Sequence, residues 1–125
     1  FRSHFSYVDR TVLSAPSPLR DARLRSIADG AIHGNATFER GGAEPGRYGT
    51  VLARDSDGLR LDGQKYYSTG TLFADQLSVA AQHGDDIVSV VVSTTAPGVE
   101  RIDDWAGFGQ RMTGSGSTRF TAVRV

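Results

Sequence analysis

The chain has 125 residues, of which 38% are hydrophobic, so it can form one modest core and a single domain is the simplest expectation. Its 14 Lys and Arg residues balance 14 Asp and Glu residues, so its charge indicates neither a nucleic-acid partner nor an anionic membrane surface. The absence of cysteine excludes disulfides, thiolate metal sites and thiol catalysis, and the apolar runs are far too short to span a membrane. We therefore expect a cytoplasmic protein, and the start at Phe1 rather than at Met indicates a piece of a longer chain.

The first 29 residues have helical features. Ser17 has the character of an N-cap, and Pro18 follows at the first helical position, where the missing N–H does no harm. Apolar residues then recur at helical spacing until Gly30, a residue typical of the position just past a helix. Residues 1–13 predict a preceding helix, which ends before Pro16. We expect residues 1–29 to be the end of an N-terminal helical domain.

From residue 30 onward the pattern changes to β-strands separated by tight turns. Turn signals at residues 55–58, 62–63, 84–86 and 97–98 separate short alternating runs. The runs that we interpret as strands include residues 48–54, 59–62, 65–69, 77–82, 87–93 and 120–125. Seven or eight short strands are typical of a small barrel or sandwich, so we predict a mainly β domain over residues 30–125, with residues 40–47 as a mobile loop.

Common catalytic and metal-binding patterns are missing. The three histidines, His4, His33 and His83, share no ligand spacing, which predicts no metal site; His33 and His83 are better explained as surface or helix-end residues. The adjacent acid pairs at 85–86 and 103–104 diverge on a strand and suit turns rather than acid–base catalysis. The glycine motifs at 107–109 and 114–116 lack the strand–turn–helix context of a dinucleotide site or a nucleophile elbow.

A series of motifs in a fixed order is more informative. Residues 59–70 read LRLDGQKYYSTG and are followed by Ala74-Asp75, while residues 97–99 read PGV and residues 109–118 read GQRMTGSGST. The chain closes with FTAVRV at 120–125, and GNATFE stands upstream at 34–39. Together these segments resemble the middle, β-barrel domain of the acyl-CoA dehydrogenase superfamily. The resemblance implies an α+β chain, mainly β, with a short helical lead-in, from which the family's C-terminal helical bundle is absent.

The departures from that pattern indicate a branch of the superfamily. Tyr67 stands where the family has tryptophan, Ser68 where it has isoleucine, and Arg40 where it has proline; a G-S-D motif that holds CoA is replaced by residues 44–47. The segments YSTG, GNA and IDDWAGFGQR are instead similar to the flavin-dependent monooxygenases, such as the dibenzothiophene monooxygenases. This resemblance implies FMN (alternatively FAD), a separate flavin reductase, a small organosulfur or heterocyclic substrate and a homotetramer, with the isolated chain inactive. An FAD-dependent acyl-CoA dehydrogenase or oxidase, and a non-catalytic β-barrel binding module, remain as alternatives.

The resemblance also implies site residues. A flavin needs hydrogen-bond partners along its pyrimidine edge and at N5 and O4, together with an apolar or aromatic face. The implied cofactor-binding residues are Asn35, Ala36, Thr37, Phe38, Tyr67, Ser68 and Thr69, and the implied catalytic residues are His4, Asn35 and Ser68. Simpler interpretations remain open: Asn35 suits an irregular backbone beside Gly34, Ser68 and Thr69 suit a strand, Tyr67 suits a core and His4 suits a solvent-exposed position.

Overall fold

In a computed structural model, which describes residues 2–41 and 46–125, the chain begins with two helices. Helix α1 spans Arg2–Leu13 and helix α2 spans Pro18–Ala28. The Ser17 side chain accepts a hydrogen bond from Arg20 N at 3.1 Å, as an N-cap does, and Gly30 has a positive φ of 97° just after α2. The predicted helices, with their start and stop signals, are confirmed. No helix in the described part of the chain is long and apolar enough to cross a membrane.

Seven strands follow in the described residues and form one curled, half-barrel sheet. Strand β4 is central: β5 pairs antiparallel along one of its edges, while β1 and the start of β2 pair parallel with it. The sheet continues from β2 through β3 and β7 to β6 by antiparallel pairing. The predicted mainly β class with a helical lead-in is therefore confirmed. The strands are β1 His33–Ala36, β2 Val51–Asp55, β3 Gly58–Lys65, β4 Gln76–His83, β5 Asp86–Ser93, β6 Val99–Ile102 and β7 Ser117–Arg124.

The core lies on one face of the sheet, to which alternate residues of the strands point. Leu77, Val79 and Ala81 of β4 are fully buried, and the neighbouring strands add apolar side chains at the same spacing of two. The remaining buried members of this cluster are Ala36, Leu52, Leu61, Ala74, Val92, Phe120 and Val123.

One turn prediction is wrong. Asp62-Gly63 lies inside β3, where the register with β7 shifts between Leu61 and Gly63, so these residues form a β-bulge. Asp62 Oδ1 accepts a hydrogen bond from Ala122 N at 2.7 Å, which fixes the irregularity. Because β3 continues to Lys65, the predicted strand over 65–69 is also wrong: the chain leaves the sheet directly after Lys65.

Helix α1 packs against β1 through an aromatic stack, which corrects the prediction for His33. The rings of Tyr7 and His33 lie 3.7 Å apart at 13°, and His33 is only 2% exposed, so it is neither a surface nor a helix-end residue. His83 is exposed, as predicted, and its Nδ1 lies 2.6 Å from Leu52 O.

Candidate functional site

Three distant segments meet beside the end of β3. The loop of residues 66–70 lies between the end of β1 and residues 113–116, and its backbone bonds to both neighbours. The hydrogen bonds are Asn35 N to Thr69 O (3.3 Å), Tyr66 N to Phe38 O (2.8 Å), Ser68 N to Gly116 O (3.0 Å) and Gly70 N to Thr113 O (3.1 Å).

The backbone of the 66–70 loop is unusual. Tyr67 has a positive φ of 58°, which is uncommon for a bulky residue, and Gly70 has a φ of 81°. Both the amide and the hydroxyl of Thr69 donate to Tyr67 O, at 2.7 and 3.2 Å, and hold this conformation. Backbone in this region persists only where the surrounding structure enforces it, and such residues concentrate at functional sites.

Hydroxyl groups are concentrated where the loop meets residues 113–116. The Thr69 and Ser115 hydroxyls lie 3.0 Å apart, and Ser115 lies 2.8 Å from the Thr113 hydroxyl. Ser68 is only 1% exposed, yet its Oγ has no hydrogen-bond partner among the described residues. A buried hydroxyl without a partner costs stability, so this one is suited to a bound group.

Asn35 lies next to the 66–70 loop with donor capacity left over. Its Oδ1 accepts a hydrogen bond from the Thr37 hydroxyl at 3.0 Å, and its side-chain NH2 makes no hydrogen bond with a described residue. The half-buried Asn35 amide and the Ser68 hydroxyl are therefore two available donors on adjoining segments. An unpartnered buried donor beside a second free donor fits the polar edge of a flavin ring.

Aromatic side chains stand on the outer side of the loop. Tyr67 is 49% exposed, which is more than a core residue would show, and Phe38 is 63% exposed. The Tyr67 ring meets Trp105 edge-on at 5.7 Å and Tyr66 at 4.5 Å. The guanidinium of Arg40 lies 3.2 Å from the centre of the Tyr66 ring. The exposed Tyr67 and Phe38 rings offer a planar ligand an aromatic surface, whereas the Tyr66 ring is buried.

A buried ion pair supports the segment that carries Thr37 and Phe38. Lys65 Nζ lies 2.6 Å from Glu39 Oε1 and donates to Thr37 O at 3.1 Å, while Glu39 accepts from the amides of Gly49 and Thr50 at 2.7 and 2.9 Å. The Lys65 side chain is fully buried and that of Glu39 is 9% exposed. The pair thus joins the end of β1 to β3 and to the start of β2.

The pKa values of the two partners shift for different reasons. Burial lowers the pKa of Lys65, and the attraction of Glu39 restores only part of it. Burial acts to raise the pKa of Glu39, but the hydrogen bonds from Lys65, Thr50 and Gly49 outweigh it, so that pKa lies below its ordinary value. The lowered pKa of Lys65 indicates that burial makes its charged form less stable, whereas the lowered pKa of Glu39 indicates that its neighbours stabilise the ionised carboxylate. We favour the charged pair, because the 2.6 Å contact and the two backbone donors act on the ionised carboxylate.

His4 lies beside β1 rather than in the hydroxyl cluster. Its Nδ1 accepts a hydrogen bond from His33 N at 3.2 Å, and its ring lies 6.2 Å from the His33 ring. In the described chain no hydrogen bond joins His4 to Asn35 or Ser68. Its half-buried position differs from the solvent-exposed alternative, and its predicted role stays a prediction.

The structure therefore brings most of the predicted site residues together, but not into a closed cavity. The segments at 35–38 and 67–69 adjoin, whereas two cavities of about 630 and 170 Å³ are lined by neither Asn35 nor Ser68. Ser115, Trp105 and Lys65 were not predicted as site residues, although each falls within a quoted motif. The predicted replacement of the CoA-binding motif at 44–47 lies partly outside the described residues, since 42–45 are not described.

The chain is similar to known proteins over most of its length. A dibenzothiophene monooxygenase of Rhodococcus erythropolis is 34% identical over 98 residues, which are 74% of this chain and 24% of that protein. The FMN-bound structure of TdsC from Paenibacillus sp. A11-2 superposes with a TM-score of 0.77 at 29% identity, covering 97% of this chain and 31% of TdsC. The predicted resemblance to the monooxygenase branch is confirmed.

These monooxygenases share their fold with the wider superfamily. A probable acyl CoA dehydrogenase from Mycobacterium abscessus superposes with a TM-score of 0.76 at 22% identity, over 88% of this chain and 31% of that one, which shows a common fold. No family model matches the sequence. The chain spans between about a quarter and a third of the length of the relatives it matches.

Proposed function

We propose that this chain is the flavin-binding part of a flavin-dependent monooxygenase. Its similarity to dibenzothiophene monooxygenase and to FMN-bound TdsC supports this function and favours FMN over FAD. When bound, FMN supplies the electrons with which dioxygen is activated. The two domains, residues 1–29 from a helical domain and residues 30–125 as the barrel, are part of the same proposal.

The observation that carries the proposal is that the buried Ser68 hydroxyl, and the side-chain NH2 of Asn35 on the adjoining segment, have no hydrogen-bond partner among the described residues. A reaction between a reduced flavin and oxygen needs donors that hold the oxygen and a pocket that excludes water. Ser68 and Asn35 provide the donors. The backbone of both residues is held at the 66–70 loop, where Ser68 N donates to Gly116 O and Asn35 N donates to Thr69 O. In the dehydrogenase pattern an isoleucine occupies the position of Ser68, and isoleucine cannot donate.

The remaining residues have supporting roles in this proposal. The backbone of Ala36, Thr37 and Phe38 binds the pyrimidine edge, with Thr37 O fixed by Lys65. Thr69 orients the loop through its bond to Tyr67 O, and Tyr67 offers its half-exposed ring to the flavin face. His4 is proposed to act near the substrate, from the helix that borders β1.

The proposal extends to the substrate, the partners and the cellular location. TdsC has been solved with FMN and indole together, which supports a small aromatic substrate here, and the similarity to dibenzothiophene monooxygenase supports an organosulfur compound. We propose that the flavin is reduced by a separate reductase, that the whole protein is a homotetramer, and that it works in the cytoplasm.

The proposal is tested by replacing Ser68 with alanine in the longer protein that contains this chain. Loss of one preorganised donor costs about 100-fold in oxygenation rate, while the flavin is still oxidised and hydrogen peroxide appears in place of product. Thr118→Val is the matched control, because Thr118 also has a fully buried hydroxyl without a described partner but lies in β7. Peroxide release during turnover and product formation are measured side by side.

Two results would contradict this function. If Ser68→Ala and Thr118→Val lose product formation equally, the Ser68 hydroxyl has no special role. If an acyl-CoA bleaches the flavin rapidly without oxygen, and Ser68→Ile remains fully active, the protein is a dehydrogenase instead.

A further inference from the structure

A second cavity, lined mainly by polar residues, lies under helix α1 on the face of β4 and β5 opposite the core. It has a volume of about 170 Å³, and seven of its lining residues carry side-chain hydrogen-bond donors: Tyr7, Arg10, Thr11, Ser14, Arg23, Ser78 and Ser89. The hydroxyls of Thr11 and Ser14 are already used, since they donate to Tyr7 O and Thr11 O. No carboxylate of a described residue lines it. Two arginines that face one cavity, with no described carboxylate among its lining residues, favour an anionic ligand, because each guanidinium prefers an anion.

Local structure explains why the two arginines converge. Arg20 donates to Thr11 O at 3.3 Å and to Val12 O at 3.1 Å, which fastens the start of α2 to the end of α1. Arg23 follows one turn later on α2, and Arg10 lies on the α1 turn that faces the same opening. Arg23 makes no hydrogen bond or ion pair with a described residue, and Arg10 uses only Nε, toward Ser6 O at 3.3 Å.

The floor of the cavity provides hydroxyl donors. Tyr7 is 5% exposed and its Oη has no hydrogen-bond partner among the described residues, since the nearby Thr11 hydroxyl donates to Tyr7 O instead. Burial raises the pKa of Tyr7, so its phenol stays protonated as a donor. Ser78 is buried on β4, opposite Val91 of β5, and points to the same face as Ser89.

We infer that this cavity binds a small tetrahedral oxyanion. Charge-assisted hydrogen bonds from Arg10 and Arg23 would neutralise the anion, while the Tyr7 hydroxyl satisfies its missing partner by donating to a third oxygen. The donors approach from α1, from α2 and from the sheet, so they suit oxygens arranged tetrahedrally better than the two oxygens of a planar carboxylate. The space of about 170 Å³ accepts such an ion with a short substituent.

The site is tested with sodium sulfate on the full 125-residue chain, by calorimetry and by amide NMR shifts of Ser78 and Arg23. Sodium chloride at equal ionic strength controls for screening. We expect a Kd of about 1 mM, the affinity that two charge-assisted hydrogen bonds support. Arg23→Gln should weaken binding by about tenfold or more, because one charged donor is lost. Tyr7→Phe, which keeps the stack on His33, should also weaken it by several-fold.

Arg25→Gln is the matched control, because it removes the same charge from α2 at a residue that lines a different cavity. It should leave the sulfate affinity unchanged. Three results would overturn the inference: no saturable sulfate binding, equal weakening by Arg25→Gln and Arg23→Gln, or an amide shift that chloride reproduces. Acetate binding as tightly as sulfate would overturn the tetrahedral assignment. The affinities for methanesulfonate and for inorganic phosphate, measured in the same way, then show whether the site prefers a tetrahedral anion with a substituent or one without.

Discussion

Replacing Lys65 with methionine should strongly destabilise the protein. Methionine fills a similar volume, but Glu39 then keeps a negative charge in a site that is 9% exposed, and Thr37 O loses its donor. Breaking one side of a buried pair costs about 3–5 kcal/mol, because the remaining charge stays buried without its partner. The total stability of such a domain is about 5–15 kcal/mol, so Lys65→Met should lose a large part of it.

A second ion pair in the chain, with a similar distance between its charged atoms but exposed side chains, serves as the control. Arg119 and Glu100 also form an ion pair, with Nη1 and Oε2 2.8 Å apart, but their side chains are 49% and 59% exposed. Exposed pairs of this kind contribute only about 0–1 kcal/mol, so Arg119→Met should have little effect. Adding Glu39→Gln to Lys65→Met should recover part of the loss, because the neutral amide oxygen still accepts from Gly49 and Thr50.

Urea denaturation of the four proteins, followed by circular dichroism, measures these differences at pH 7. The reasoning about burial is refuted if Lys65→Met and Arg119→Met cost the same, or if the double variant is less stable than Lys65→Met alone. Because the pKa of Glu39 in the folded state lies below its ordinary value, its contribution is present at neutral pH. It should be lost as the pH falls through that lowered pKa.

Two further predictions concern single positions. Burial first, and then the charges of His4 and Arg23, lower the pKa of His33 to about 4. The unfolded state therefore binds more protons than the folded state between about pH 6.5 and 4. The free energy of unfolding should fall by about 3 kcal/mol as the pH drops through this window. His33→Phe keeps a ring against Tyr7, so urea midpoints at pH 7 and pH 5 should differ less than in the parent, and an unchanged difference would show that His33 does not titrate this way. Gly63→Ala should cost about 3 kcal/mol or more in thermal unfolding, because Gly63 has a φ of 144° and a Cβ would lie 2.5 Å from Thr50 Cα; a loss below about 1 kcal/mol would show that the bulge relaxes easily.

Sequence patterns that extend over only a few residues were sufficient to predict the individual helices and hairpins. The N-cap Ser17 with Pro18, and Gly30 after the helix, depend on backbone hydrogen bonds within one turn, so the bounds of α2 could be predicted. The hairpin of β4 and β5 followed from alternation around the turn at 84–86. The order of the motifs indicated the superfamily, because each short segment keeps residue types that resemble those of the family at the same relative positions.

Pairing between distant residues was decided only by the tertiary structure. Asp62-Gly63 suits a tight turn and a bulge equally well, and the neighbouring strand β7 selected the bulge. Lys65 looks like a solvated strand residue until Glu39, 26 residues earlier, is placed against it. His33 looks like a surface residue until α1 lays Tyr7 on its ring.

The sequence by itself determined the helical lead-in and the mainly β class, and it predicted the segments at 35–38 and 67–69, which adjoin in the structure. The tertiary structure decided that, among the described residues, the buried Ser68 hydroxyl and the Asn35 side-chain NH2 on the adjoining segment have no partner, and that two arginines share a cavity under α1. The physical reason is the distance along the chain over which each interaction acts. Caps, turns and alternation are fixed by neighbours in the chain, whereas burial and hydrogen-bond satisfaction depend on segments that meet only after folding.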